Sequence, residues 1–145
     1  MPGFVIIDGY NLLHATGIVA RGFGPGTLER ARLALLGFLA ASIEPEMASR
    51  TTIVFDVGTR LSGLPRETRH GGMKVLFAAG YTDADTLIEE LIRKHSSPRR
   101  LTVVSSDHQV QRAARRRKAH AADSGVWYAE LKRQRYAAQP EQSEM

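Results

Sequence analysis

Three short apolar runs, far apart in the chain, each lead into an aspartate. Phe4-Val5-Ile6-Ile7 ends at Asp8, Thr51-Thr52-Ile53-Val54-Phe55 at Asp56, and Leu101-Thr102-Val103-Val104, after Ser105 and Ser106, at Asp107. Short β-branched runs without polar alternation suit strands buried on both faces. Such strands belong to a mainly parallel sheet covered by helices on both sides, because each parallel neighbour needs a crossover connection. In an open sheet of this kind, ligands bind outside the carboxyl ends of the strands. One pattern therefore fixes an α/β fold and gathers three acids at one edge of it.

The rest of the chain supplies the crossovers. Gly17 to Gly26 reads as a glycine-rich loop. Thr27 caps a helix whose apolar positions Leu28, Ala31, Leu35, Phe38 and Leu39 run to about Ile43, with Pro45 as the stop. Gly58 to Gly72 reads as a long loop, Met73 to Ala78 as a third strand, and Gly80 to Asp83 as a turn. A helix follows from about Ala84 to His95, with Leu87, Ile88, Leu91 and Ile92 as its apolar face. Leu101 to Val104 is the fourth strand. A helix from about His108 to Lys118, a short extended piece near Ala119 to Ala121, and a last helix near Ser124 to Arg135, capped by Asp123, complete the pattern. The reading is one domain over residues 1–136, followed by a polar, disordered tail over 137–145.

Composition narrows the chemistry. There is no cysteine, which excludes a disulfide scaffold, a Cys-ligated zinc site and a Cys nucleophile. No apolar run approaches the roughly 18–20 residues of a spanning helix. The expectation is a cytoplasmic protein that does not engage a membrane. The net charge is +5 and the pI about 10.0, which suits a polyanionic partner. The first ninety residues are nearly balanced; the excess lies between Arg93 and Arg135.

A further acidic group, Asp83, Asp85 and Glu89, sits at the start of the helix after the third strand. The end of one strand and the start of the next helix share an edge, so these acids join Asp8, Asp56 and Asp107 around one cleft. Asp85 and Glu89 are four residues apart and share a helix face. Crowded carboxylates repel one another. A hard divalent cation relieves that repulsion, accepts oxygen ligands, activates a water and stabilises a leaving phosphodiester oxygen. The all-oxygen set favours Mg²⁺ or Mn²⁺, as one or two ions, over zinc. Structural readings stand beside these: Asp83 and Asp85 as complements to a helix dipole, Glu89 as a surface acid, Asp56 as a strand terminator. Asn11 reads either as a partner of Asp8 or as a turn residue after Gly9, and Ser106 either as a support for the acids or as a helix cap.

At this point the residues resemble a known family. Val5-Ile6-Ile7-Asp8-Gly9-Tyr10-Asn11-Leu12-Leu13 is similar to the opening motif of the YacP-like NYN domains. Ile53 to Asp56, Thr82 to Glu89 and Val103 to Asp107 resemble three further blocks of that family, in order. The resemblance implies a PIN-like three-layer sandwich and a Mg²⁺- or Mn²⁺-dependent endoribonuclease. Its substrate class would be single-stranded RNA, messenger or ribosome-associated. Asp8, Asp85 and Asp107 correspond to metal-binding acids, and Asn11 to the motif asparagine. Asp56 and Glu89 correspond to positions of less settled role, and Asp83 is an acid where the family often has a neutral residue.

On this reading Arg66, Arg69, Lys74, Arg115, Arg116, Arg117 and Lys118 guide the RNA by its phosphates. Tyr10, Tyr81 or Trp127 offers a stacking surface, with core packing the favoured role for Trp127. His14 and His70 are lesser candidates. The oligomeric state is open, a homodimer included, and so is a toxin role beside a partner antitoxin. Two rivals remain. One is a non-catalytic RNA-binding module on the same fold, against which the acids argue. The other is a haloacid-dehalogenase-type phosphatase, whose second acid is replaced here by Tyr10.

Overall fold

The computed structural model describes residues 3–18, 27–56, 66–78 and 84–137. Its elements are β1 (Phe4–Asp8), α1 (Gly9–Thr16), α2 (Thr27–Ser42), α3 (Pro45–Ala48), β2 (Thr51–Phe55), β3 (Glu67–His70) and β4 (Met73–Phe77). They continue as α4 (Ala84–Lys94), a 3₁₀ turn (Pro98–Arg100), β5 (Leu101–Val104), α5 (His108–Arg116), β6 (His120–Ala122) and α6 (Ser124–Ala137). The strands form one sheet in the order β3-β4-β2-β1-β5-β6, parallel except for the edge strand β3. No helix among the described residues is long and apolar enough to cross a membrane.

Alternation along the buried strands builds two cores. Val5, Ile7, Ile53, Phe55, Met73 and Val75 face one side and pack with Leu12, Leu13, Leu35, Leu39 and Leu131 of α1, α2 and α6. Ile6, Val54, Leu101 and Val103 face the other and pack with Leu87, Ile88, Ile92, Val110 and Ala114 of α4 and α5. The result is the expected three layers, helices on both faces of a mainly parallel sheet. Each fully buried Leu, Ile or Phe contributes about 1.5–3 kcal/mol.

The path of the chain matters more for the site. From β1 it moves outward through β2 to β4, then crosses back over the sheet through α4 to β5, on the other side of β1. The connection order therefore reverses between β1 and β5, the position where open α/β sheets leave a crevice. Register puts Ile7 opposite Val104. The next residues, Asp8 and Ser105, are thus neighbours at the carboxyl edge.

Three segments differ from the sequence reading. Residues Gly9 to Thr16, to which the sequence reading assigned no element, form helix α1, because Asp8 caps it and Leu12 and Leu13 anchor it. Within the expected loop from Gly58 to Gly72, residues 67–70 form β3. They pair with β4 through Gly71 and Gly72, both at positive φ (56° and 88°), as a two-residue hairpin turn requires. Pro45 opens the short helix α3 at its first position rather than only ending α2. The rest of the two glycine-bearing loops, the turn with Tyr81 and Asp83, and the tail 138–145 lie outside the described residues.

Helix α5 ends with Lys118 N–H bonded to Arg115 O at 2.9 Å and Ala119 N–H to Ala114 O at 3.0 Å. This is the Schellman arrangement, whose left-handed position usually holds glycine. Here it holds Lys118 at φ 67°, which costs roughly 1 kcal/mol. Lys118→Gly should therefore raise stability by about 1 kcal/mol in urea unfolding; an equal or lower midpoint would contradict the strain.

Candidate functional site

Asp8 is 3% exposed. It ends β1 and also caps α1, its Oδ1 accepting the Asn11 amide at 3.4 Å. A helix begins with unsatisfied N–H groups, and a carboxylate at the cap meets one of them. The helix starts directly after the strand because residue 9 has no side chain. A Cβ on Gly9 would stand 2.4 Å from Phe55 Cδ1 and 2.8 Å from the Val54 carbonyl oxygen. The Asp-Gly step thus brings the end of β1 tightly against β2.

The second oxygen of Asp8 is held from β5. The buried Ser105 hydroxyl lies 3.0 Å from Asp8 Oδ2 and 3.1 Å from Asn11 Oδ1, and accepts the Asp107 amide at 3.1 Å. With a single proton it donates to one of the two oxygens at a time. The Ser106 amide donates to Asn11 Oδ1 at 2.6 Å, which fixes the oxygen side of that amide. Asp107 caps α5, its Oδ1 accepting from Gln109 N at 2.8 Å and Val110 N at 3.1 Å. Asp8 and Asp107 are therefore both helix caps, set on adjacent strands and bridged by one serine.

Burial pushes the Asp8 carboxyl above its ordinary value of 3.8. The Ser105 and Asn11 hydrogen bonds pull it down, and the negative charges of Asp107 and Asp56 push it up again. Two helix N-termini face this point and favour an anion, yet desolvation outweighs them. The oxygen donors are hard, and would suit Mg²⁺ or Mn²⁺ rather than a softer metal. Among the described residues no three acidic or histidine side chains close on one point. Mg²⁺ tolerates such sparse ligation because it keeps several waters.

Helix α4 starts at the same carboxyl edge of the sheet. Glu89 Oε2 accepts from Gln109 Nε2 at 3.1 Å, so this side of α4 is turned toward the start of α5. Asp85 lies one turn earlier on that side, nearer the carboxyl edge, and is half-buried. Beside Asp107 opens a shallow cavity of about 510 Å³ whose lining includes Asn11, His14, Ser106 and Asp123. A second cavity, of about 470 Å³, lies at the other end of the strands beside Val5, Thr51 and Trp127. Its lining contains none of the candidate metal-binding acids.

Several expected roles move. Ser105, not Ser106, supports Asp8 through its side chain; Ser106 is exposed and contributes its backbone amide. The register offered the signal, because the residue after Val104 must lie beside Asp8. Arg66 does sit at the carboxyl edge, its carbonyl accepting from Phe77 N at 2.9 Å. Lys74 is level with Thr52, and hence with Ile6, below the level of Asp8, and Arg69 pairs with it on the edge hairpin. His70 is farther down the same hairpin. Arg115, Arg116, Arg117 and Lys118 lie at the end of α5, which starts at the carboxyl edge and runs away from it. Arg117 donates to the carbonyls of Ile92, Arg93 and His95, closing the end of α4. Tyr10 packs edge-on against Phe55, with its hydroxyl accepting from Arg32 at 3.4 Å, and Trp127 packs on the core. Neither is an open stacking platform.

A family profile described as the YacP-like NYN domain matches residues 5–145. The chain belongs to the YacP-like NYN domain family. A solved structure of Rae1 (YacP) from Bacillus subtilis is similar in fold, with a TM-score of 0.72 at 21% identity, covering 97% of this chain and 80% of that one. Its W164L mutant gives a TM-score of 0.60 at 22% identity, covering 89% and 74%. No curated protein sequence matches. The PIN-like sandwich expected of a YacP-like NYN domain is thus the fold of this chain.

The raised Asp8 pKa has a signed consequence. A carboxyl whose folded-state pKa lies above its unfolded value contributes stability at low pH and loses it as pH rises through the folded pKa. Asp8→Asn removes that titration and keeps the hydrogen bonds, since an amide nitrogen can donate to Ser105. In chelator, Asp8→Asn should melt above the wild type at pH 7, and the difference should shrink toward about pH 4. A variant less stable at pH 7 would contradict the electrostatic picture.

Proposed function

We propose that this YacP-like NYN domain is a metal-dependent endoribonuclease acting on single-stranded RNA, messenger or ribosome-associated, at the crevice between β1 and β5. The observation that carries the reading is the buried Asp8 carboxyl, bridged by Ser105 to Asn11 and pressed by the charges of Asp107 and Asp56. Membership of a ribonuclease-type family supports it. Asp8, Asp107 and Asp85 would hold Mg²⁺ or Mn²⁺, with Asp56 and Glu89 as further candidates; Asp83 falls outside the described residues. When bound, the cation supplies Lewis acidity for in-line attack of water on the phosphodiester, leaving a 5′-phosphate and a 3′-hydroxyl.

The chain's own residues prepare that chemistry. Ser105 and the Asn11 amide hold the Asp8 oxygens at a fixed angle, so binding a cation costs little reorganisation. Ser106 N–H holds the Asn11 oxygen, which leaves the Asn11 NH₂ group to donate to a phosphate oxygen. His14 and Arg66, on the same edge, supply further contacts along the strand. A phosphate contact positions the RNA without reading its sequence.

Labelled single-stranded RNA incubated with Mg²⁺ or Mn²⁺ should be cleaved, and chelator should stop it. Asp8→Asn and Asp107→Asn should each lower the rate about a hundredfold or more, the several kcal/mol a catalytic cation supplies. RNA that is bound but never cut under any divalent cation would instead identify a non-catalytic RNA-binding module. Ser105→Ala, with the acids intact, should lower the rate less than Asp8→Asn; an equal loss would make Ser105 more than a support.

A further inference from the structure

We infer that the opposite edge of the sheet, around Phe4, is a second, non-catalytic surface for the phosphate backbone of RNA. The inference rests on the reading of the chain as RNA-directed. From Arg93 to His120 the sequence has nine Lys and Arg residues and one acid, Asp107, and Asp107 belongs to the carboxyl edge. Strand and helix polarity send most of these cations the other way. α4 and α5 both start at the carboxyl edge, so Arg93, Lys94, Arg115 and Arg116 collect where the helices end. The 3₁₀ turn adds Arg99 and Arg100 just before β5.

Contacts confirm that these ends meet. Arg100 lies over the Phe4 ring at 5.5 Å and Arg50 at 5.7 Å, while His95 packs edge-on against it at 5.0 Å. Arg117 joins the end of α5 to the end of α4 through three carbonyls. Cations are favoured at helix C-termini, and Arg117 meets that need. Glu90 pairs with Arg93 at 3.8 Å and with Lys94 at 3.2 Å. Arg99, Arg115, Arg116 and Lys118 are exposed, and no carboxylate pairs with them among the described residues. Lys118 moreover keeps a charge where glycine would relieve backbone strain. Exposed guanidinium and ammonium groups without a carboxylate partner match a polyanion, and arginine suits phosphate in particular.

This surface lies a strand length or more from Asp8, roughly 15 Å. A short strand being cut at the crevice does not need it. A longer or folded RNA reaches both, so affinity and cleavage become separable properties of the two edges.

The test is fluorescence anisotropy with a labelled 30-nucleotide single-stranded RNA in chelator, where no cleavage occurs, across a salt series. For Arg99→Gln/Arg115→Gln/Arg116→Gln the salt slope should fall by about 2 relative to wild type, with about tenfold or greater weakening at low salt. Lys118→Gly should reduce the slope by about 0.7 while raising the melting temperature, which separates lost contact from lost fold. Lys132→Gln/Arg133→Gln removes two cations of α6, on the other face of the sheet, and should have a smaller effect. Unchanged binding in the first variant, or an equal loss in the control, would overturn the inference. Capture by phosphatidylserine vesicles that depends on these arginines, with RNA binding unaffected, would overturn it too. Cleavage is read separately with Asp8→Asn, so either reading can fail without the other.

Discussion

Burying the Asp8 carboxyl costs solvation that only hydrogen bonds and counter-charge can return. The fold returns part of it. One oxygen caps α1, the other takes the Ser105 hydroxyl, and hydrogen bonds to a charged group are worth about 1.5–3 kcal/mol each. Asp107 and Asp56 then act against this gain, since their charges raise the same pKa. An apolar residue at the end of β1 would make a quieter core. On the proposed function, a cation bound there would turn the repulsion among the acids into binding.

Much of the surrounding structure follows from delivering that carboxyl. Gly9 lets α1 begin without a spacer, so the capping amide and Asn11 both fall beside Asp8. The crossover from β4 to β5 sets Ser105 and Asp107 next to β1 rather than at a distant edge. α4 starts on the same edge and turns its Asp85–Glu89 side toward α5. Among the described residues, these positions come from strand ends and helix starts, which are stiff.

The sheet was legible because its strands are continuous apolar runs, and Thr51 to Phe55 and Leu101 to Val104 have the observed bounds. Asp123 was legible as the cap of α6, and its Oδ2 accepts from Gly125 N at 3.0 Å. Helix α1 was not, because eight residues opening on Gly-Tyr-Asn read as turn chemistry until a cap is known. β3 was not, because Glu67-Thr68-Arg69-His70 is an exposed edge strand with no apolar face. Ser105 was obscured because only register distinguishes it from Ser106. The basic residues were visible as a cluster in sequence, but their side of the sheet depends on the direction in which α5 runs. Helix polarity, rather than composition, separates the acidic edge from the basic one.

On the proposed function Asp8 anchors a divalent-cation site. That role is tested most directly by Mn²⁺ binding, followed by electron paramagnetic resonance, to the wild type and to Asp8→Asn, with no RNA present. The folded wild type should bind saturably, and the variant should stay folded and lose that binding. Equal Mn²⁺ binding by both proteins, or none by the wild type, would contradict it.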